Sequence, residues 1–278
     1  MAKNDTSASP SYGPGHADHE LERLRVQARL IEPITRRFMV EAGIEAGMRV
    51  LDVGSGVGDV SLLAAQLVGA TGEVVGTDRA SIPLAVAAER ASAQSLDNVR
   101  FLDGDPAEMT FDVPFDAVVG RYVLMYQADP AAMVRKLAAH VRPGGVVVFH
   151  EPYRDGVRSF PRVPTYDRGW QLVDDTFRGT GADPIMGIKL HATFRAAGLP
   201  TPTMRMESVI AGGPDCSDHI HFEVDPVRTL LPEMRRLGLA TDAEINIDTY
   251  ADRVRDELIA TGGVIVGRAE VGAWARVL

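Results

Sequence analysis

Short runs of consecutive apolar residues alternate along this chain with stretches whose apolar positions recur every three or four residues. The first pattern reads as buried strand, the second as amphipathic helix. Leu21, Leu24, Ala28 and Ile31 fall at helical spacing with charges between them, and Pro33 interrupts or kinks the run before residues 34–42 continue it. Arg49-Val50-Leu51-Asp52-Val53 then reads as a strand, followed by a glycine cluster and a helical pattern at Val60, Leu63, Ala64 and Leu67. The unit repeats. A strand over 73–78 precedes a helix over 82–95, and a strand over 99–102 ends at Asp103-Gly104-Asp105. A strand over 115–119 precedes a helix from about Pro130, and a fifth strand covers 145–150. This alternation predicts an α/β fold with a parallel, doubly wound sheet whose ligands lie outside the carboxyl ends of its strands. Beyond Pro152 the alternation loosens. Helices are expected over 167–178 and 188–197, a strand over 203–210, an irregular then helical stretch over 212–238, a helix over 243–260 and a last strand over 271–277.

The loop Asp52-Val53-Gly54-Ser55-Gly56-Val57-Gly58 carries the most chemistry. Its glycines permit a tight turn out of the first strand and close approach of a ligand to the backbone. A phosphate loop requires Lys and then Ser or Thr at its end, whereas Asp59 and Val60 follow Gly58. The dinucleotide fingerprint wants its third glycine five positions after the first, where Asp59 stands and would set a carboxylate beside a pyrophosphate. Both readings are disfavoured, although an NAD-dependent Rossmann oxidoreductase stays open as an alternative.

The spacing instead resembles the acidic-x-Gly-x-Gly-x-Gly motif of the class I S-adenosylmethionine (SAM)-dependent methyltransferases, and companions in the right order extend the resemblance over about residues 48–152. Asp78 lies twenty residues after Gly58 at the end of the second strand, where a carboxylate accepts both ribose hydroxyls. Arg79 stands next to it, able to pack over the adenine edge, and Gly104-Asp105, with Pro106 after them, match the family position whose Asp accepts the adenine amino group. Phe115 to Val119 resembles the fourth-strand motif, and Leu137 through Arg142-Pro143-Gly144-Gly145 resembles the segment leading into strand five. The likeness is nearest to the ubiquinone/menaquinone-biosynthesis-like and related small-molecule branch, from which His150-Glu151-Pro152-Tyr153 departs.

The resemblance implies a Rossmann-like, seven-stranded, mostly parallel sheet flanked by helices, with an N-terminal helical arm and lid insertions. It implies SAM as cofactor and S-adenosylhomocysteine as product. Asp52, Gly54, Ser55, Gly56, Gly58, Asp78, Arg79, Gly104, Asp105, Pro106 and Arg121 are then the expected cofactor residues, with Gln27 on the first helix as a further contact. The expected organisation is residues 1–45 as flexible arm and N-terminal helices, 46–152 as SAM-binding core, and 153–278 as completion of the sheet with acceptor-binding insertions.

A base is needed only where the methyl acceptor must lose a proton. The candidates are His150 and Glu151 at the end of strand five, Tyr122 after strand four, and His219. Adjacent strand residues face opposite ways, so only one of His150 and Glu151 readily reaches an acceptor. His219-Ile220-His221-Phe222-Glu223 alternates polar and apolar; on an extended segment the two histidines and the glutamate share a face, as ligands of a metal would. An ordinary surface segment is the preferred reading there, lining of the acceptor pocket comes second, and no metal is expected. His16 and His19 pose the same question more weakly. Tyr12, Tyr122, Tyr126, Tyr153, Trp170 and Phe177 offer aromatic surface for a planar or terpenoid acceptor, and Arg154, Arg158, Arg162 and Arg168 form a basic run suited to an anionic one.

Composition narrows the partners. A formal net charge of −9 repels a polyphosphate backbone, so nucleic acid is not an expected partner. The single cysteine, Cys216, cannot form an internal disulfide, and no stretch approaches the roughly 20 apolar residues of a membrane span. A cytoplasmic small-molecule methyltransferase is the expectation, its acceptor a secondary metabolite or similar aromatic or terpenoid-like compound, with a homo-oligomer left open. A SAM-binding protein that uses the cofactor structurally, or for a non-methylating reaction, is the other alternative.

Overall fold

The structure is a computed structural model and describes residues 30–156, 158–213 and 216–278. The expected contacts of Tyr12, His16, His19 and Gln27 lie outside the described residues.

A helix over residues 30–41 (α1) leads into the alternating unit: β1 (Arg49–Val53), α2 (Asp59–Val68), β2 (Glu73–Asp78), α3 (Ser81–Ala93), β3 (Val99–Asp103), β4 (Phe115–Arg121), α4 (Pro130–Ala138) and β5 (Val141–Tyr153). β1 pairs in parallel with β2 and β4, β2 with β3, and β4 with β5. Strands buried on both faces need near-continuous apolar runs, which β1, β4 and β5 supply. The sheet continues as β6 (Arg158–Phe160), β7 (Thr203–Gly212) and β8 (Val264–Arg276), with helices α5 (Pro164–Thr180), α6 (Met186–Ala196), α7 (Ser217–Arg236), α8 (Asp242–Ile245) and α9 (Ile247–Thr261) between them.

β8 runs antiparallel to all its neighbours. One edge pairs with β5 and then β6, the other with β7. The sheet therefore has eight strands instead of the expected seven; the addition is the three-residue β6, and β8 begins at Val264, seven residues before the expected start of the last strand. The mostly parallel α/β expectation holds.

Strand alternation sorts residues onto two faces. Val50, Ala117, Val119, Val146, Val148 and Trp274 pack against α1 and α2, while Leu51, Val118, Val147, Phe149 and Ala273 pack against α4 and α6. The same alternation sends Asp52, Arg121, His150 and Glu270 toward the α1 side and Glu151 to the other. A third core joins α5, α7 and α9 around Trp170, Val227 and Val254. At the β7 edge, Arg37 and Glu41 of α1 form ion pairs with Glu207 and Arg205.

The α1 helix docks by Phe38, which fits only because Gly272 on β8 has no side chain; a Cβ there would sit 2.5 Å from Phe38 Cγ. Gly272→Ala should therefore destabilise the fold by about 1–3 kcal/mol, read as a lower urea midpoint at unchanged slope.

Candidate active site

The carboxyl ends of β1, β2 and β3 converge on a cleft. Gly54, Gly56 and Gly58 all have positive φ, and the loop is tied to β2 by Ser55 N donating to Thr77 O at 2.9 Å. At Gly54 a side chain is excluded twice over: φ is +67°, and a Cβ would lie 2.8 Å from Val123 Cγ2. Gly58 is similar, with φ +88° and Ala87 Cβ 2.9 Å away. Asp78 accepts from Gly56 N through Oδ2 and from Ala80 N through Oδ1, both at 2.9 Å, so its carboxylate is fixed at the mouth of the loop. Asp105 accepts from Ala107 N at 2.9 Å and from Arg79, whose side chain reaches across the opening. Gly54, Asp78, Arg79, Gly104, Asp105 and Pro106, all expected from sequence, line one cavity of about 120 Å³. Val53 of the loop motif lines it too; Thr77, Val123, Gln127 and Met133 complete it and were missed, because nothing in their local pattern separates them from core or helix residues.

Asp52 lies beneath the loop and is buried; it accepts from Ser61 Oγ at 2.5 Å, and its Oδ1 has no hydrogen-bond partner among the described residues. Burial pushes it up to about 7, against the Ser61 bond. Asp59, the acid that argued against a dinucleotide, is held by Arg90 at 2.7 Å and Arg121 at 3.2 Å. Arg121 thus spans α2 and α1, donating also to Thr35 Oγ1 at 3.2 Å, and does not line the cavity.

A second cavity, about 410 Å³, opens past the carboxyl ends of β4 and β5. Tyr122, Met125, Tyr126, Arg154, Phe177 and Arg268 are among its walls, with Asp225, Pro226, Thr229 and Leu230 of α7 on the far side. A space of similar size beside Arg49 and Phe111 lies at the opposite ends of the strands.

Residues 44–178, just under half of the chain, match the family described as methyltransferase domain. Over this stretch the chain is similar to a methyltransferase domain. Demethylmenaquinone methyltransferase of Staphylococcus aureus (strain MRSA252) is 33% identical over 138 residues, which are 49% of this chain and 54% of that protein. The chain thus spans about half the length of the curated relatives it matches. Among solved structures, the YcgJ protein of Bacillus subtilis superposes with a TM-score of 0.55 at 19% identity, over 88% of this chain and 98% of that one. The [4+2]-cyclase SpnF does so with 0.50 at 22% identity, over 99% and 86%. At these identities the likeness is one of fold.

The four base candidates, three within the matched stretch and His219 beyond it, are placed very differently. Tyr122, whose φ is +57°, lines the larger cavity, but its hydroxyl donates to Glu270 Oε2 at 2.7 Å and accepts from Arg268 at 3.2 Å. His150 is buried behind it, Nε2 at 2.8 Å from the same Glu270 oxygen and Nδ1 at 3.2 Å from Thr35 Oγ1. Burial pushes Glu270 up, but Arg268, His150 and Tyr122 together outweigh it and hold the carboxyl at about 2. Glu151 faces the opposite side, fully buried, and accepts from Val123 N (2.9 Å), Leu124 N (2.7 Å) and Met125 N (3.3 Å). Burial pushes it up to about 8, against those bonds.

The His219 segment corrects an expectation. It is the first turn of helix α7, not an extended strand, so His219 and Glu223 share a face at i,i+4 while His221 turns out to Ser217 O at 2.9 Å. Among the described residues no group of three or more His, Cys, Asp or Glu is placed to hold a metal. His219 and Glu223 pack over Gly267, both buried; among the described residues neither ring nitrogen nor Glu223 Oε2 has a partner. Of the basic run, Arg154 is buried, donates to Asp174 at 2.6 Å, stacks on Trp170 and lines the larger cavity, while Arg162 and Arg168 pair with Asp167 and Glu244. No helix among the described residues is long and apolar enough to cross a membrane.

Burial pushes Glu223 up to about 7. The folded protein therefore retains this proton where the unfolded chain has lost it, so its stability contribution is full below about 4.5 and fades as pH rises to about 7. His219, pushed by burial down to about 4, acts in the opposite sense below about 6.5, and is common to both proteins in a comparison with Glu223→Gln. Relative to wild type, Glu223→Gln should gain roughly 2–3 kcal/mol between pH 5 and pH 8, at about 1.4 kcal/mol per pKa unit, in urea unfolding at each pH.

Proposed function

We propose that the chain transfers a methyl group from SAM to a small molecule held in the 410 Å³ cavity. One observation carries this reading: a glycine loop in positive φ, Asp78 and Asp105 converge at the ends of three adjacent strands, and Val123 and Tyr122, consecutive in sequence, connect their cleft to the larger cavity.

The residues present fit SAM. The backbone of Gly54, Ser55, Gly56 and Gly58 receives the amino-acid end, beside the orphaned Oδ1 of Asp52, and each oxygen of Asp78 keeps a lone pair for a ribose hydroxyl after accepting one backbone N–H. Asp105 meets the adenine amino group. The 120 Å³ cleft is below the roughly 300–1,000 Å³ of typical ligand sites because the exposed Arg79–Asp105 pair closes it. Exposed ion pairs contribute about 0–1 kcal/mol, so adenine displaces Arg79 at small cost and Arg79 then covers its edge.

SAM supplies an already activated methyl group; the protein's part is alignment and exclusion of water. Met125, Tyr126, Pro152, Phe177 and Leu230 give the acceptor an apolar enclosure. The Tyr122 hydroxyl, its proton engaged by Glu270 and raised by burial, orients the acceptor as a neutral group instead of removing a proton as phenolate. A secondary metabolite with an aromatic or terpenoid body suits these walls.

Asp78→Ala should weaken SAM binding by roughly 1–3 kcal/mol in calorimetry, and unchanged affinity would remove the ribose assignment. Incubation of the wild type with methyl-labelled SAM and extract of the producing cells should yield a labelled small molecule. Tight SAM binding without any labelled product would favour a non-methylating use of the cofactor.

A further inference from the structure

The segment following β4 divides its side chains between the two cavities. Val123 and Gln127 line the cofactor cleft, whereas Tyr122, Met125 and Tyr126 line the acceptor cavity. The backbone of this segment is held by one side chain. Glu151, reaching over from β5, accepts the successive N–H groups of Val123, Leu124 and Met125, the first turn of a 3-10 helix over Leu124–Tyr126. These donors have no partner within so short a turn, and 0% exposure leaves water no access to the carboxylate. Val123, so held, sits where a Cβ on Gly54 would meet it at 2.8 Å, and Gln127 Nε2 returns to Val123 O at 3.4 Å. On the other side, Met125 O accepts from Asp183 N at 2.8 Å, and Tyr122 N donates to His150 O at 2.9 Å. A displacement of the turn by a few tenths of an ångström is therefore felt simultaneously at the glycine loop and at the acceptor wall.

We propose that Glu151 is a positioning residue: it fixes the turn after β4 in the single setting that closes the cofactor cleft with Val123 and Gln127 and shapes the acceptor cavity with Tyr122, Met125 and Tyr126. The inference rests on the methyltransferase reading of these two cavities. It gives Glu151 a role other than that of a base, since its oxygens face backbone amides and it lines neither cavity.

The test uses S-adenosylhomocysteine as probe, so no acceptor is required. In the full chain, Glu151→Gln keeps one side-chain oxygen for Val123 N and Leu124 N but turns an amide NH₂ toward Met125 N. We expect about tenfold weaker binding of S-adenosylhomocysteine in calorimetry. Hydrogen exchange at the Val123, Leu124 and Met125 amides should be at least tenfold faster, and ligand should slow all three in the wild type, including Met125 on the acceptor side. Should Glu151→Ala fail to fold, Glu151→Gln and the wild-type exchange data still decide. A merely structural carboxylate predicts a lower melting temperature with unchanged affinity and exchange confined to global unfolding, and that result overturns the proposal. If the wild type itself does not bind S-adenosylhomocysteine, the function proposed above fails and this inference with it.

Discussion

The antiparallel insertion of β8 beside β5 is the constraint on which the site depends. Eight residue pairs from Val146–Arg276 to Tyr153–Ala269 set the register. That register brings Glu270 to His150 and Tyr122 and Arg268 to the floor of the acceptor cavity, and the far edge of the same strand carries β7. A one-residue slip would exchange the two faces of β8, sending Glu270 and Arg268 together toward the α4–α6 core and leaving His150 and Tyr122 without their shared carboxylate. The parallel half of the molecule builds the cofactor cleft by itself. The second cavity exists because one strand returns.

Burial of charge around this register is heavy, and the ion pairs differ in kind. Tyr122 and His150 at Oε2 and the Arg268 guanidinium beside Oε1 keep the charge of Glu270 in the interior; among the described residues Glu223 on the facing helix lacks a partner for Oε2 and is driven toward its neutral form. The contrast arises from one position. Gly267 lets Glu223 and His219 approach the β8 backbone, but Arg268 directs its Nε toward Glu270 at 2.9 Å and stacks on Phe222. Two carboxylates thus flank one guanidinium, and geometry settles which of them holds the negative charge.

Much of the cofactor half was legible because its signals are local. A strand carrying Asp52 near its end, glycines at fixed offsets and acids at the ends of the next two strands all arise from single short segments; of these, Gly54, Asp78 and Asp105 line the cleft, and Asp52 lies beneath the loop. The acceptor half was legible only in outline. Glu151 and His150 were singled out as strand-end polar residues, but their partners, the Val123–Met125 amides and Glu270, lie 26–28 and 120 positions away. No local pattern discloses such partners. The His-x-His alternation misled because five residues satisfy a period of two by chance; the longer spacing of Ile220, Val224, Val227, Leu231 and Met234 is helical and carries α7 through Pro226 and Pro232. Arg154 read only as one member of a basic run, and its sequence neighbourhood did not disclose that Trp170 and Asp174, a helix away, draw it into the interior.

The ion pairs that fasten α1 to β7 have a consequence for the outside of the molecule. Among the described residues β7 pairs only with β8, so its other edge presents backbone donors and acceptors that no described strand takes up. Arg205 and Glu207 on that strand are already bound to Glu41 and Arg37. An approaching strand would have to strip water from these charges without offering them better partners. The contacts that seat the first helix therefore also act as a guard, keeping the open side of the sheet from recruiting copies of itself.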